Sequence, residues 1–245
     1  MRYLIIPLRS RTASFRDPEF QNFHRSLPLP PPATCIGLAG AALGLPPAAA
    51  QAYFTEGEWQ LGVAGTSAGV AMDFWKYNDF KTGSVLIREI LYDNRFVIVF
   101  GHADSAKLEA LANAFRFPVF ALSCGNSDAL CHVHVFGIRL VDGVTEASEL
   151  AGCYVDGDVV AEALSAATAD TTTEFSIRTT SLPVAQDLPV RFEYGKNGAR
   201  MLRQRRLISY ARYPIKLPHP VPGIKLSDDA SSPGRAPAFV PVFPL

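Results

Sequence analysis

The chain has 245 residues, 48% of them hydrophobic, which is enough for a sizeable core in one large or two small domains and excludes a disordered protein. The formal net charge is zero, which by itself argues against a nucleic-acid partner. The charges are uneven, however: the net charge is +3 over residues 1–30, −8 over residues 100–175 and +6 over residues 186–216. The two basic segments predict either one polyanion-binding face or ordinary solvated surfaces.

The cysteine pattern predicts a reducing compartment. Cys35, Cys124, Cys131 and Cys153 form no C-x-x-C pair, and no charged-then-apolar signal segment follows Met1. We therefore expect a cytoplasmic protein without disulfides, without a zinc site and without any cofactor.

The first predicted elements are a strand, a loop and a helix. Residues 2–8 form a β-branched run typical of a buried strand, with Pro7 at its edge or end, and residues 9–31 form a polar loop. The apolar residues 33–45 follow three prolines, which the first turn of a helix tolerates, and stop near Gly44 and two further prolines. This helix has about 13 residues, fewer than the roughly 20 that a bilayer span needs, so no membrane segment is expected.

The later elements complete an α+β pattern. In chain order they are strands at 87–91 and 96–100, a helix at 105–115, strands at 117–122 and 132–140, and a hairpin of 191–194 with 200–210. Asp93–Asn94 predicts a turn between the first two strands, Ser105 predicts the helix cap, and Asn197–Gly198 predicts the hairpin turn. Seven prolines from residue 218 onward predict an extended or docked tail. The order predicts an α+β layer such as a ferredoxin-like sandwich.

One motif is compatible with a serine hydrolase. Residues 65–69 fit G-x-S-x-G, the nucleophile elbow, in which Ser67 would act with an aspartate and His219. No oxyanion segment precedes the motif, and the repeated βα units of a hydrolase are missing. A glycine-containing hairpin or loop over residues 62–85 is therefore the preferred interpretation.

Two histidines alternate along a predicted strand. His132 and His134 would share one face, which suits a metal pair or an acid–base couple. No carboxylate or cysteine stands at a matching spacing, and Cys131 faces the opposite side. We therefore expect ordinary strand histidines and no metal site.

Basic and aromatic residues interleave in two predicted loops. The first loop contains Arg11, Phe15, Arg16, Phe20, Phe23 and Arg25, and the second contains Trp75, Lys76, Tyr77 and Lys81. Flat rings stack on bases and cationic groups hold phosphates in single-stranded nucleic-acid sites. Together with the basic segment at 186–216, these loops favour a nucleic-acid-binding function.

Three blocks resemble the Cas-five subunits, members of the repeat-associated (RAMP) RNA-binding superfamily found in type I CRISPR effector complexes. They are residues 13–16 with 26–34, Gly37 and Gly44; residues 88–91 with Phe96; and residues 122–130. The blocks lie in order and span about residues 1–135. The resemblance leaves the CRISPR subtype open, subtype I-B included.

The resemblance implies a non-catalytic RNA-binding subunit of the Cascade surveillance complex in antiviral defence. Its RAMP domain, at residues 1–150, would be ferredoxin-like with a protruding hairpin, the thumb, at 62–86, and residues 151–245 would form a small β-rich part. The subunit would cap the 5′ handle of the CRISPR RNA (crRNA) and contact Cas-seven backbone subunits and a large Cas-eight type subunit. It would meet target DNA only indirectly.

The predicted RNA-binding residues combine the basic and aromatic loops with the residues of the family motifs. They are Arg9, Arg11, Phe15, Arg16, Arg25, Ser26, Thr34, Gly37, Trp75, Lys76, Lys81, Arg88, Ser123, Gly125, Asn126, Ser127, Arg203 and Arg205. The sequence departs from the family at Asn126, where many relatives have arginine. It also lacks the Lys-His dipeptide of a branch that cleaves precursor RNA. Metal-independent endoribonuclease activity is therefore the alternative function, with Tyr53 or His132 and His134 in acid–base roles.

Overall fold

Strands make up most of the fold, and helices cover part of them. The computed structural model describes residues 1–20, 23–78, 83–169, 182–196, 198–226 and 237–245. Within these residues the strands are β1 (Arg2–Ala13), β2 (Phe15–Arg16), β3 (Ser26–Leu27), β4 (Gln60–Asn78), β5 (Gly83–His102), β6 (Cys131–Val133), β7 (Arg139–Asp142), β8 (Thr145–Leu150), β9 (Cys153–Asp156), β10 (Val184–Tyr194), β11 (Arg200–Ala211), β12 (Ile215–Lys225), β13 (Phe239–Pro241) and β14 (Phe243–Pro244). The helices are α1 (Pro32–Leu43), α2 (Pro47–Thr55), α3 (Ser105–Arg116) and α4 (Val160–Ala169). The predicted α+β class is confirmed.

Nine of these strands form one antiparallel sheet. Its main path runs β10-β11-β9-β4-β5-β1-β6, with β14 paired to β4 and β7 paired to β1. β1 pairs with β5 along nearly the whole length of β1, and β6 and β7 share the other edge of β1. Strands from both sides of residue 150, the predicted domain boundary, therefore hydrogen-bond within the same sheet.

The main core lies between this sheet and the helices α1, α2 and α3. Successive side chains of a strand face opposite sides, so every second residue of β1 points into this core. Leu4, Ile6 and Leu8 are at most 1% exposed and belong to one cluster with Leu108 and Leu111 of α3. Burying each such side chain stabilises the fold by about 1.5–3 kcal/mol.

A second core covers the opposite face of the sheet. Tyr3, Ile5 and Val99 point to this side and join a cluster with residues of α4 and of the three-stranded sheet β13-β12-β8. Arg9 and Arg11 of β1 are exposed, so the second core covers only the first part of this strand. One half of this face is therefore buried and the other half is open.

The first predicted helix is confirmed as α1. Pro32 lies in its first turn, and Gly44 ends it in the left-handed conformation with a φ of 75°. Pro47, which was expected only to end α1, also begins a second helix, α2. The sequence pattern did not predict this helix. Small residues in α1 make room for α2, since a Cβ at Gly40 would meet the Cβ of Ala50 at 2.5 Å.

α1 and α2 are rich in apolar residues, which raises the question whether they could cross a membrane. Within the described ranges no single helix is both long and apolar enough to cross a bilayer. The two helices meet the length and composition test only as a pair, and that pair is bent by 112°. Both contribute buried residues to the main core.

Two predictions for the first half of the chain are wrong. The predicted loop at 9–31 begins too early, because β1 continues to Ala13. Pro7 is tolerated because it lies at the gap between β6 and β7, where its missing N–H removes no ladder bond. The predicted turn at Asp93–Asn94 does not exist: β5 is continuous, and Asp93 adopts a positive φ of 49° within the strand.

The strands predicted after α3 are also corrected. Residues 117–122 form no strand, and the N–H groups of Val119 and Phe120 instead donate to carbonyls at the end of α1. Residues 132–140 are broken into β6, a turn of 3₁₀-helix at Val135–Gly137, and β7. In both places hydrogen bonds to distant chain segments override the local β propensity.

The predictions for α3 and the C-terminal half are largely confirmed. The helix is capped by the carboxylate of Asp104 rather than by Ser105. The hairpin exists as β10 and β11, although Asn197 of its predicted turn lies outside the described residues. The described parts of the proline-rich tail are docked as β12, β13 and β14. The prolines of β12 coincide with a break in its pairing with β8 between Lys216 and Val221, because proline offers no N–H to a ladder.

Candidate nucleic-acid interface

A cleft of about 900 Å³, the main cleft, lies where β2, the start of α1, the segment after α3 and the β10–β11 hairpin meet. Seven predicted RNA-binding residues line it: Phe15, Arg16, Thr34, Gly37, Ser123, Gly125 and Asn126. The opposite wall includes Pro189, Phe192, Arg200 and Leu202, which were not predicted individually. The structure therefore brings two of the three sequence blocks together and adds part of the basic segment.

The start of α1 forms one wall of the main cleft. Pro31 and Pro32 carry no N–H, and the N–H of Thr34 already donates to the Pro31 carbonyl, so this helix end offers few free donors. Gly37 is exposed, and a Cβ built on it would meet no atom within 4 Å. The protein's own packing does not require glycine there, and the bare backbone is open to a ligand.

The two residues of β2 have different environments. Phe15 is 2% exposed, and its ring packs edge-on against Phe96 with centroids 5.6 Å apart. This ring cannot stack on a base without leaving the core, which corrects the prediction for Phe15. Arg16 is exposed, and its guanidinium forms no hydrogen bond or ion pair with a residue that the structure describes. Arg16 is therefore the cation that β2 offers to the cleft.

Ser26, predicted to contact RNA, is instead part of the frame. It is 8% exposed, its hydroxyl accepts a hydrogen bond from the N–H of Phe15 at 3.0 Å, and its own N–H donates to the carboxylate of Glu89 at 3.0 Å. These bonds join β2, β3 and β5. The side chain fixes the floor of the cleft rather than lining it.

A tight loop after α3 forms the rim opposite α1. Gly125 has a φ of 99°, and a Cβ there would overlap the main-chain oxygen of Ser14. The N–H of Ser14 donates to the Cys124 carbonyl at 3.1 Å, which holds the loop against the end of β1. This close approach places Ser123 and Asn126 at the cleft, whereas Ser127 is exposed on the same loop but does not line it.

Arg88, another predicted RNA contact, is buried and paired. Its Nη2 donates to Asp73 at 2.7 Å and to Asp128 at 3.1 Å, and its guanidinium lies 5.5 Å from the centre of the Trp75 ring. Burial lowers the pKa of Arg88, but the two carboxylates outweigh that effect and raise it above the ordinary value. Arg88 therefore connects β4, β5 and the 122–130 loop. Its carboxylate partners correct the expectation that it is free for phosphate.

Arg25 lies in a second cleft of about 460 Å³ on the other side of β3. It is exposed, and its guanidinium lies 5.3 Å from the centre of the Phe20 ring. The neighbouring His24 is bonded through its backbone to β5, and burial together with Arg16 and Arg88 lowers the pKa of its imidazole. The second cleft carries two carboxylates, Asp17 and Glu89, beside Arg25 and Arg212, and it shares only Leu27 with the main cleft.

The outer half of the β4–β5 hairpin carries the second group of predicted residues. Pairing of β5 with β1 ends at Leu91, so beyond it β4 and β5 form a two-stranded ribbon, which His24 bridges at one point. Trp75 and Lys76 are exposed on this ribbon, and Lys81 lies outside the described residues. The ribbon also exposes large apolar side chains, namely Val70, Met72, Phe74, Val85 and Ile87.

The β10–β11 hairpin supplies the basic wall of the main cleft. Arg200 lies over the ring of Phe192 at 4.4 Å, an arrangement that holds a guanidinium beside a flat ring. The predicted residues are engaged elsewhere: Arg203 pairs with Glu193, and Arg205 donates to a main-chain oxygen at 3.3 Å. The local net charge pointed to this hairpin, but only the fold distinguishes Arg200 from its neighbours.

The hydrolase motif has no elbow geometry. Ser67 lies within β4, and its hydroxyl donates to the side-chain oxygen of Asn94 at 2.6 Å. A nucleophile elbow is a sharp turn between a strand and a helix, so the continuous strand contradicts this interpretation. His219 lies in β12 and has no hydrogen bond with Ser67 in the described structure.

Tyr53, the alternative nuclease candidate, lies in a small cluster on α2. The ammonium group of Lys107 is 6.0 Å from the centre of the Tyr53 ring, and the ring also contacts Trp59 at 5.5 Å. His102 packs on the other side of Trp59 at 4.5 Å. Burial, and then the charge of Asp104, raise the pKa of Tyr53. The sequence pattern did not connect Tyr53 with Lys107.

Comparison with known proteins points to one family. The family model described as CRISPR-associated protein (Cas_Cas5) matches residues 3–151. A chain of a structure described as a CRISPR RNA-guided surveillance complex has the same overall fold, with 16% identity, a TM-score of 0.51, and coverage of 88% of this chain and 90% of its own. A CRISPR protein from Archaeoglobus fulgidus is 10% identical, with a TM-score of 0.48 and coverage of 98% and 99%. A structure described as a Cas protein is 25% identical over 51% of this chain and 57% of its own, with a TM-score of 0.36. No curated protein matches the chain.

Proposed function

Because the chain belongs to the CRISPR-associated Cas5 family, we propose that it is a non-catalytic subunit that binds crRNA in a type I effector complex. The single observation that carries this proposal is the main cleft. It gathers residues from two family blocks and the basic hairpin around an opening of about 900 Å³. Its cations and bare backbone suit phosphates.

Different residues of the main cleft contact different parts of the RNA. Arg16 and Arg200 approach from opposite walls and hold phosphates through charge-assisted hydrogen bonds. Gly37 lets the sugar–phosphate backbone lie directly against α1. The neutral amide of Asn126 donates to phosphates, and it both donates to and accepts from base edges, without adding charge. The Phe192 ring beside Arg200 offers a flat surface to a displaced base.

In finer detail, we propose that the cleft caps the 5′ handle of the crRNA and that the subunit bridges Cas-seven backbone and large Cas-eight type subunits. The α/β layer of β1, β5, α1 and α3 corresponds to a ferredoxin-like RAMP domain, and the β4–β5 ribbon corresponds to the thumb. Exposed apolar residues on the ribbon, such as Phe74 at 72% exposure, suit contact with a neighbouring protein. Target DNA is met only through the complex.

Substituting both cleft arginines tests the proposal. In Arg16→Ala/Arg200→Ala, affinity for an RNA carrying the handle should fall at least tenfold by fluorescence anisotropy, because two charge-assisted contacts are lost. The matched control Lys216→Ala/Lys225→Ala removes two exposed cations of β12, neither of which lines the main cleft, and should bind as wild type. Unchanged handle binding by the arginine variant would refute the placement of RNA in the cleft.

One observation favours a second candidate function, metal-independent cleavage of precursor RNA. Lys107 lies beside the Tyr53 ring, so a phenol and an ammonium group are close enough to act on one phosphodiester. Tyr53 would serve as the acid that protonates the leaving oxygen, since burial and the charge of Asp104 raise its pKa and keep the phenol protonated. Incubating the protein with labelled repeat RNA in EDTA decides between the candidates. The non-catalytic proposal expects intact RNA, whereas a discrete product that disappears in Tyr53→Phe would establish the nuclease.

A further inference from the structure

Four basic side chains lie together on the sheet, outside the main cleft. Arg9 of β1 lies directly opposite His132 of β6 on one side and opposite Arg95 of β5 on the other. Arg11 follows two residues further along β1. Arg9, Arg11 and His132 line an opening of about 330 Å³ that shares no residue with the main cleft. We name Arg9, Arg11, Arg95 and His132 the basic patch.

The basic patch lies on the face of the sheet that points away from the helices α1, α2 and α3. In β1, Leu8 belongs to the main core and Ile5 to the second core, so alternation places Arg9 on the side of Ile5. The C-terminal layer covers Ile5 but does not reach Arg9, which is exposed. The main cleft is built on α1, on the other side. One phosphate therefore cannot contact both places.

The charges of the patch are poorly compensated within the protein. Like charges directly opposite each other on neighbouring strands destabilise a sheet, and Arg9 faces Arg95 in this way. None of the four side chains forms a hydrogen bond or ion pair with a residue in the described part of the chain. A single carboxylate, that of Asp93, lines the opening. A bound anion would remove this repulsion.

We propose that the basic patch binds the phosphodiester backbone of a second nucleic-acid segment, separate from the one in the main cleft. The row from His132 through Arg9 to Arg95 crosses three strands and is about 10 Å wide, which exceeds one phosphate group and suits a polymer. Guanidinium groups hold phosphates in a forked geometry, and contacts to phosphate do not depend on the base sequence. The inference rests on the proposed nucleic-acid-binding function and adds a second contact to it.

Stoichiometric titration with a fluorescent RNA hexamer tests the inference, because two independent sites bind two short oligonucleotides. At low salt the wild-type chain should bind two hexamers. Arg9→Ala/Arg95→Ala should bind one, and Arg16→Ala/Arg200→Ala should also bind one. For a long single strand, the slope of log affinity against log salt should fall by about 1.4 in Arg9→Ala/Arg95→Ala, at about 0.7 per lost contact.

The outcomes separate this inference from the proposed function. Two hexamers bound by Arg9→Ala/Arg95→Ala would overturn the second site, whereas two bound by Arg16→Ala/Arg200→Ala would overturn the main cleft instead. The thermal midpoint of Arg9→Ala/Arg95→Ala should be unchanged or higher, because a repulsive pair is removed; a lower midpoint would assign these residues to folding. Inorganic phosphate binding the patch as tightly as the hexamer would overturn the polymer ligand. Lys216→Ala/Lys225→Ala should bind two hexamers.

Discussion

Replacing Arg88 with methionine tests whether one buried guanidinium joins the hairpin to the rim of the main cleft. The side chain is 6% exposed, and it links Asp73 of β4 with Asp128 of the 122–130 loop. Methionine keeps most of the aliphatic contacts of arginine, so the change isolates the ion pairs and the contact with Trp75. We expect the protein to fold with reduced stability and a loosened loop.

The contacts of Arg88 limit how much stability Arg88→Met can remove. A buried hydrogen bond to a charged group contributes about 1.5–3 kcal/mol and an exposed ion pair about 0.2–1 kcal/mol. Asp73 and Asp128 are 40% and 63% exposed, so each bond should contribute about 0.5–1 kcal/mol, and the Trp75 ring adds about 0.5–1 kcal/mol. Both carboxylates can be hydrated once Arg88 is gone and therefore add no further penalty, so we expect Arg88→Met to lower the free energy of unfolding by about 1.5–3 kcal/mol.

Urea unfolding followed by tryptophan fluorescence measures this change. A thermodynamic cycle with Asp128→Asn should show a coupling energy of about 0.5–1 kcal/mol, because the two side chains share one bond. RNA affinity should also fall, since the loop forms the rim of the cleft. A loss below 0.5 kcal/mol, or strict additivity of Arg88→Met and Asp128→Asn, would refute the idea that this pair holds the loop.

Three further predictions follow from single residues. Gly125→Ala should displace the loop from Ser14 and weaken RNA binding more than tenfold. The matched change Gly37→Ala places its Cβ in open space, so it should stabilise α1 by about 0.5–1 kcal/mol in thermal unfolding and weaken only RNA binding. Tyr154→Phe removes a buried hydrogen bond to a main-chain carbonyl and should cost about 1–3 kcal/mol in urea unfolding. Burial raises the pKa of Tyr154 well above about 10, so its neutral form stabilises the fold below that pH, and the stability lost as pH rises above 10 should be smaller in the variant. Burial and two arginines lower the pKa of His24, so stability should fall as pH drops from 6.5 towards the lower folded pKa, and His24→Gln should reduce this fall in acid unfolding.

Local patterns explain why much of the fold is readable from the sequence. The prolines before residue 33 and Gly44 have conformations that only certain helix positions accept, so α1 could be placed within two residues. The Asn197–Gly198 pair similarly located the hairpin, with β11 nearly complete and β10 only at its C-terminal end. Patterns of this kind depend only on a residue and its near neighbours, so they do not change with the contacts that the rest of the chain makes.

Other elements depend on partners far along the chain. Pro47 could equally end α1 or begin α2, and only the packing of Gly40 against Ala50 shows that it begins a helix. The Asp93–Asn94 pair is typical of a turn, but pairing with both β1 and β4 keeps β5 continuous through it. Where many long-range hydrogen bonds compete with one local preference, the long-range bonds prevail.

The sequence alone determined that the chain has an α+β fold, two basic segments and the motif blocks of its family. It also determined which residue types are available to hold phosphate. Only the tertiary structure decided their use: Arg16 and Gly37 meet in one cleft, Phe15 and Arg88 are engaged inside the protein, and Arg9 faces the opposite side. Side-chain burial and cross-strand register depend on contacts between distant segments, and a single sequence does not contain those contacts.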